Sequence, residues 1–511
     1  MGDVGRDTYD LAVVGGGIHG TAIARDAAGR GLSVLLIERG DLGGETSSAS
    51  SKLIHGGLRY LEHLEFRLVR EALREREILL ATAPHLVAPM RFVLPHTPSL
   101  RPAWMIRLGL FLYDHLARRG SLPGSGAADL AAGPYGAALQ ERWRKGYVYS
   151  DCQTDDARLV LANALSASDR GAEVATRTAL VTARRADGRW SLTLQPQGRG
   201  TVAGERRAVT ASSLVNAAGP WAVDMLSEVR GRPTRRRLRL VKGSHVVVPR
   251  LYEGGHAYIL QQDDRRIVFV IPYERDFTMI GTTEVLLERP GPVSASDEEV
   301  AYLCAASNAF LEPQVSPADV VWSFAGTRAL CDDGRANASA VTRDYVLELD
   351  SEKGRAPLLS VFGGKLTTAR RLAERAVDKL SAFHDGIGER WTGEAKLPGG
   401  ELPASEDGDR TEAFAVRLAA AHPRLDAELL SGLARRHGSE AANLLGDAQD
   451  PADLGQAFGG GLTERELEWM VSRQWARGAG DVLWRRSKLG LVLDESQLAA
   501  VAGWLEARVP G

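Results

Sequence analysis

Residues 9–38 read YDLAVVGGGIHGTAIARDAAGRGLSVLLIE. A short apolar run, 9–14, enters Gly15-Gly16-Gly17. The chain continues through Ile18, His19 and Gly20 into a helical stretch, turns at Gly31, and resumes as the apolar run 32–38. This order predicts strand, glycine turn, helix and strand. Gly15, Gly17 and Gly20 form GxGxxG, and Glu38 stands eighteen residues beyond Gly20, at the end of the second strand. A side chain in such a turn would block a pyrophosphate, the helix N-terminus offers it unpaired N–H groups, and a carboxylate can grip ribose hydroxyls. A chance glycine-rich turn is the bland alternative, and the strand and helix frame weighs against it. Glu38 disfavours NADP, although the adjacent Arg39 keeps that option open.

Working outward, 511 residues predict two or three domains. A formal charge of -2 argues against a chain built to neutralise nucleic-acid phosphates. Cys152, Cys304 and Cys331 are widely spaced, form no CxxC pair and read as structural; no metal site is expected. Residues 1–10 do not have the pattern of a signal peptide, and no apolar run reaches the roughly 18 to 20 residues of a spanning helix. The expectation is a protein in the cytosol or on a membrane surface.

Residues 213–219 (SLVNAAG) predict another buried strand that ends in small residues. Residues 243–249, 258–261 and 267–272 predict an antiparallel sheet outside the nucleotide domain. From about residue 402 the chain is rich in Ala, Leu, Glu and Arg at helical spacing, with 386–407 as the linker candidate.

The stretch after the second strand, ETSSASSKLIHGGLRYLEH, is dense in hydroxyls, glycines and cations. Together with RPAWMIRLGLFLYDHL, YSDCQTDDARLVLAN, LVNAAGPW, KGSHVVVPR, RALCDD, TRDY and LLSVFGGKLTTARRLAE, it resembles the bacterial FAD-dependent glycerol-3-phosphate dehydrogenases, from about residue 8 to near the end. The resemblance implies an α/β, Rossmann-like FAD domain of the glutathione-reductase type (1–85, 150–235 and 340–385). It also implies an α+β substrate domain (86–149 and 236–339) and an all-α C-terminal domain (386–511). FAD, held non-covalently, would lie against Gly15, Gly17, Gly20, Glu38, Thr46, Ser47, Ser50, Ser51, Gly219, Gly364, Lys365, Leu366 and Thr367.

Glycerol 3-phosphate brings a phosphate and a secondary alcohol. The phosphate calls for guanidinium forks, and the resemblance assigns Arg59, Arg328 and Arg343, with Tyr60 and Lys365, to the substrate. Catalysis would rest on Arg328, Lys365 and His245, with His245 as the candidate base because imidazole titrates in the right range. His55 and one of the arginines stay open as alternative bases. Two departures stand out: Ala329 where proline is expected after the substrate arginine, which should loosen a turn, and Glu284 in place of an aspartate, a change expected to be neutral.

The resemblance further implies electron transfer to ubiquinone or menaquinone, with dioxygen as the open alternative, a dimer, no nucleic acid, and a place on the inner face of the cell membrane. The segment 101–119 (RPAWMIRLGLFLYDHLARR) has the composition of an interfacial helix that meets an anionic membrane surface. Trp469, Trp475 and Trp484, set among arginines, offer a second candidate surface. An amine or amino-acid oxidase and a flavin-binding sensor are the rival readings; neither needs a clamp of several arginines.

Overall fold

A computed structural model describes residues 6–96, 101–120, 122–198, 206–230, 237–264, 266–331, 344–351, 354–405 and 408–509. Thr8–Val14 is an inner strand of an eight-stranded sheet, parallel to Arg207–Asn216 on one side and to Val34–Ile37 on the other. Glu173–Ala175 and Leu358–Gly363 extend the parallel set, and Tyr345–Asp350 adds an antiparallel edge. Parallel strands are apolar on both faces because both are covered. Leu11 and Val13 pack under the helices Ile18–Gly29, Asp156–Ser168 and Ala369–Leu380. Ala12 lies on the opposite face, among Trp190, Leu192, Val209 and Leu226.

A ten-stranded sheet stands beside it in the order Val285–Leu287, Leu238–Pro249, Phe277–Gly281, Ile267–Tyr273, His256–Gln261, Val87–Pro95, Lys145–Thr154 and Leu53–Ile54. Trp322–Cys331 pairs with Leu238–Pro249, and Gly126–Asp129 with Lys145–Thr154. Alternate residues face opposite sides of a strand. Val246 and Val248 therefore meet the helix Asp297–Asn308, while Val247 meets the helices Phe66–Thr82 and Ala103–His115. Ala329 lies in the strand Trp322–Cys331 opposite Leu240, so the missing proline is a strand position and not a loosened turn.

The C-terminal region is helical, with one short ribbon, Ala457–Gly459 with Leu462–Thr463. Asp409, Asp426, Thr463 and Asp494 each start a helix by accepting a backbone N–H in the first turn. The stretch proposed as a linker is docked: the Trp391 ring is flanked by Arg25 at 5.0 Å and Arg170 at 4.1 Å. Trp469 and Trp475 pack against cores, and Trp484 stacks on Trp322 at 4.5 Å, so the second candidate membrane surface is spent on packing. All three cysteines are buried and none forms a disulfide. Among the described residues no helix is long and apolar enough to cross a membrane.

Several histidines are buried in neutral form. Burial, aided by Arg158, pulls His437 down to about 4 against the opposing Glu466, and burial alone pulls His256 to about 4. Unfolded histidine binds its proton near 6.5. As pH falls, the unfolded chain is protonated first, so stability is constant above about pH 6.5 and is lost between that value and about pH 4. Thermal melts across this window are expected to show a falling Tm, less steep in His256→Gln; a flat Tm would contradict the assignment.

Candidate active site

One cavity of about 1750 Å³ is lined by the glycine turn and by residues of the second sheet, among them His245, Ile259 and Arg328. The turn is close-packed on its protein side. A Cβ on Gly15, whose φ is +112°, would sit 2.4 Å from the Ala217 carbonyl oxygen, and one on Gly20 would sit 1.8 Å from that of Gly15. At Gly17 a Cβ would meet only the Ser47 hydroxyl, at 3.1 Å, and this residue lines the cavity. Gly20 therefore serves the packing of the turn and is not part of the cavity wall.

Glu38 accepts the Gly16 N–H at 2.6 Å and the Gly40 N–H at 2.7 Å. Burial raises its pKa, and these two donors oppose the rise. Arg39 lies over the Trp221 ring at 4.2 Å. Gly219, Leu366 and Thr367 continue the wall, and Gly363 and Gly364 hold φ of +70° and +97°. Backbone without side chains along the cavity wall, an acid at the strand end and N–H groups at a helix start fit an FAD molecule.

The 46–60 stretch builds the middle of the wall. Thr46 donates to the Thr327 carbonyl at 2.7 Å, and Ser47 accepts the Ile18 N–H at 3.0 Å, capping the helix that Gly17 begins. Ser50 donates to Asp156 at 2.7 Å, and Lys52 pairs with the same carboxylate at 2.8 Å. Ser51 hydrogen-bonds the His245 Nε2 at 2.9 Å. His245 is 2% exposed and stacks on Phe324 with ring centroids 4.8 Å apart. Burial, then Arg328, then Lys52, hold it well below the usual histidine range, so it is a neutral imidazole.

Arg328 donates to the Thr282 hydroxyl at 2.8 Å and lies 3.5 Å from Glu284. Glu284 thus pairs with the arginine in the cavity wall. The Lys365 ammonium sits 3.7 Å from the centre of the Tyr60 ring. Arg59, Tyr60, His55, His245, Arg328 and Lys365 all line the same cavity; Arg343 lies outside the described residues. His55 adjoins Thr367, whose hydroxyl is 3.3 Å from its N–H.

Sequence reasoning missed His19. It lies beside Gly364 in the cavity wall, and burial pulls its pKa to about 4 against an opposing hydrogen bond with the Lys365 backbone. The only signal was its place inside GxGxxG. The Lys52–Asp156 pair was missed as well, since its partners are 104 residues apart.

Residues 10–370 match the family described as DAO, FAD dependent oxidoreductase. The chain belongs to these FAD-dependent oxidoreductases, and FAD is its cofactor. It is 53% identical over 506 residues to a glycerol-3-phosphate dehydrogenase of Pseudomonas aeruginosa, covering 99% of this chain and 96% of that one. It is 48% identical over 501 residues to a D-erythritol 1-phosphate dehydrogenase of Brucella abortus, covering 98% of each. The solved glycerol-3-phosphate dehydrogenase of Bacillus halodurans, complexed with FAD, superposes with a TM-score of 0.75 at 25% identity, over 98% of this chain and 94% of that one. Within the oxidoreductases, the chain belongs to the glycerol-3-phosphate dehydrogenase family.

The packing at Gly15 makes a prediction. Gly15→Ala forces a Cβ against the Ala217 carbonyl at a positive φ, and the variant is expected to purify folded but largely without flavin. Gly478→Ala, where a Cβ would meet nothing within 4 Å, is expected to keep its flavin. Absorbance ratios of the purified proteins decide it.

Proposed function

We propose that the chain oxidises sn-glycerol 3-phosphate to dihydroxyacetone phosphate and passes the electrons to a membrane quinone, ubiquinone or menaquinone. The observation that carries this reading is that Arg59, Arg328, Lys365 and His245 line the same cavity as the dinucleotide turn. A phosphate of about -1.5 to -2 charge needs such cations.

FAD supplies a hydride-accepting position at its N5. Arg328, backed by Thr282, and Arg59 hold the phosphate, and Lys365 with Tyr60 orients the C2 oxygen. Neutral His245, its ring fixed by Ser51 and Phe324, takes the hydroxyl proton. Arg328 is one of the cations that disfavour a charged His245. Once its charge is matched by a phosphate dianion that effect weakens, so bound substrate makes the base stronger. A four-carbon polyol phosphate is the second reading, favoured by the near-equal identity to the Brucella relative.

The acceptor side rests on the helix Ala103–His115. Ile106, Leu110 and Tyr113 face the core, while Trp104 (64% exposed), Leu108 (50%) and Phe111 (57%) face outward with Leu64 and Phe66 nearby in the exposed apolar set. Arg70, Arg74, Arg118 and Arg119 line a hollow with the end of this helix, which suits an anionic lipid surface on the cytoplasmic side. Met105, Leu108 and Leu112 also line the cofactor cavity, so an apolar acceptor has a route from the membrane face.

Anaerobic addition of glycerol 3-phosphate is expected to bleach the flavin band, with a short-chain quinone restoring it. Bleaching by erythritol phosphate alone would select the second reading, and no bleaching would refute both. The acid limb of kcat/KM, which reports the free enzyme, is expected below the usual histidine range, and that of kcat higher; an unchanged limb in His245→Gln removes His245 as the base. Trp104→Glu with Phe111→Glu, neither of which lines the cofactor cavity, is expected to release the protein from anionic vesicles and to cut quinone reduction while leaving dye reduction intact.

A further inference from the structure

Among the described residues nothing beyond Thr367 lines the cofactor cavity, so the C-terminal region takes no direct part in it. Yet its segment 474–488 carries the most buried arginine of the chain's seam, Arg486, which is 1% exposed. Its guanidinium pairs with both oxygens of Asp41, with Nη2 on Oδ1 at 2.8 Å. Arg485 reaches the same carboxylate and also Asp481. Asp481 in turn accepts Arg177 at 2.6 Å and the N–H groups of Arg477 and Gly478. Lys488 reaches Asp155 at 3.3 Å, next to the Asp156 that holds Ser50 and Lys52.

What Asp41 belongs to gives these contacts a meaning. It lies three residues beyond Glu38, in a loop whose members Arg39, Gly43, Gly44 and Glu45 line the cavity. Two residues further on, the Gly43 N–H donates to the Gly16 carbonyl of the glycine turn at 3.0 Å. On its other side Gly40 accepts the N–H of Arg177, the residue whose guanidinium also meets Asp481. The loop is thus pinned at Gly40, Asp41 and Gly43, and the Asp41 pin comes from the far end of the chain. Bidentate arginine fixes both position and plane of a carboxylate, which a lysine cannot do. A loop already held in place loses less freedom when a ligand settles beneath it.

We propose that the C-terminal region is a cofactor-retention element. Arg486 and Arg485, acting through Asp41, are positioning residues that hold the 41–47 loop over the glycine turn and so slow the loss of FAD. The bland alternative is that the pairs only attach the C-terminal helices to the rest of the chain, in which case they raise stability without favouring the FAD-bound form.

The test compares apoprotein and FAD-loaded full-length chain. Arg486→Met leaves a buried carboxylate without its bidentate partner, and the FAD dissociation constant, read by flavin fluorescence, is expected to rise at least about 10-fold. The Tm of the loaded protein is expected to fall further than that of the apoprotein. Arg486→Lys is expected to recover part of the affinity. Asp41→Asn with Arg486→Gln removes both buried charges together and keeps the proposal testable where the single variant fails to fold; it too is expected to bind FAD more weakly. Unchanged FAD affinity in the variants that fold, or equal Tm losses with and without FAD, would overturn the proposal in favour of simple attachment.

Discussion

The backbone at Gly15 and Gly16 runs so near the Ala217 carbonyl and the Glu38 side chain that no Cβ fits between them. That closeness follows from the parallel register, in which Val14 lies beside Ile37 on one side and Asn216 on the other, so three strand ends finish at one level. The chain must turn there without side chains, and the helix beginning at Ile18 then starts beside the space left open at Gly17. Later contacts are built on this arrangement: Ser47 caps the helix start, Gly43 bonds back to Gly16, and Glu38 closes the second strand onto the turn.

This much was legible because it is local. Residues 9–38 contain the strand, turn, helix and acid in one stretch, and the alternating runs at 243–249 and 267–272 lie in the strands Leu238–Pro249 and Ile267–Tyr273. The pairings that make the site are of a different kind. Ser51 meets His245 across 194 residues, and Asp41 meets Arg486 across 445. His245 owes its place to a ladder that sets it opposite both Gly281 and Phe324, and a slip of one residue would turn its ring to the other face of the sheet. No periodicity in the sequence carries that register.

Composition also failed to separate two sets of tryptophans. Trp104 and Trp484 both stand among apolar residues and arginines, yet one is exposed and the other lies between Trp322 and Gly490. The difference is which face of the helix a neighbour covers. On Ala103–His115 the positions 106, 110 and 113 are taken by the second sheet's core, leaving 104, 108 and 111 outside. Tyr113 goes further inward: its hydroxyl donates to Asp151 at 2.6 Å and accepts the Gly56 N–H at 2.8 Å. The helix with the apolar outer face and the loop bearing His55 and Arg59 therefore share a buried hydrogen-bond junction.

The charge balance of the cavity explains why a buried histidine can sit there at all. Arg328 and Lys52 both disfavour the charged ring, and burial does so more strongly than either. Lys52 pairs with Asp156 at 2.8 Å, and Arg328 pairs with Glu284 at 3.5 Å and donates to the Thr282 hydroxyl at 2.8 Å, so both cations that act on the ring are held in place by partners. Cations near a buried imidazole raise the cost of a further positive charge there, which adds to the cost of burial. The arrangement thus keeps the His245 ring neutral in the cavity wall, with its Nε2 turned to the Ser51 hydroxyl.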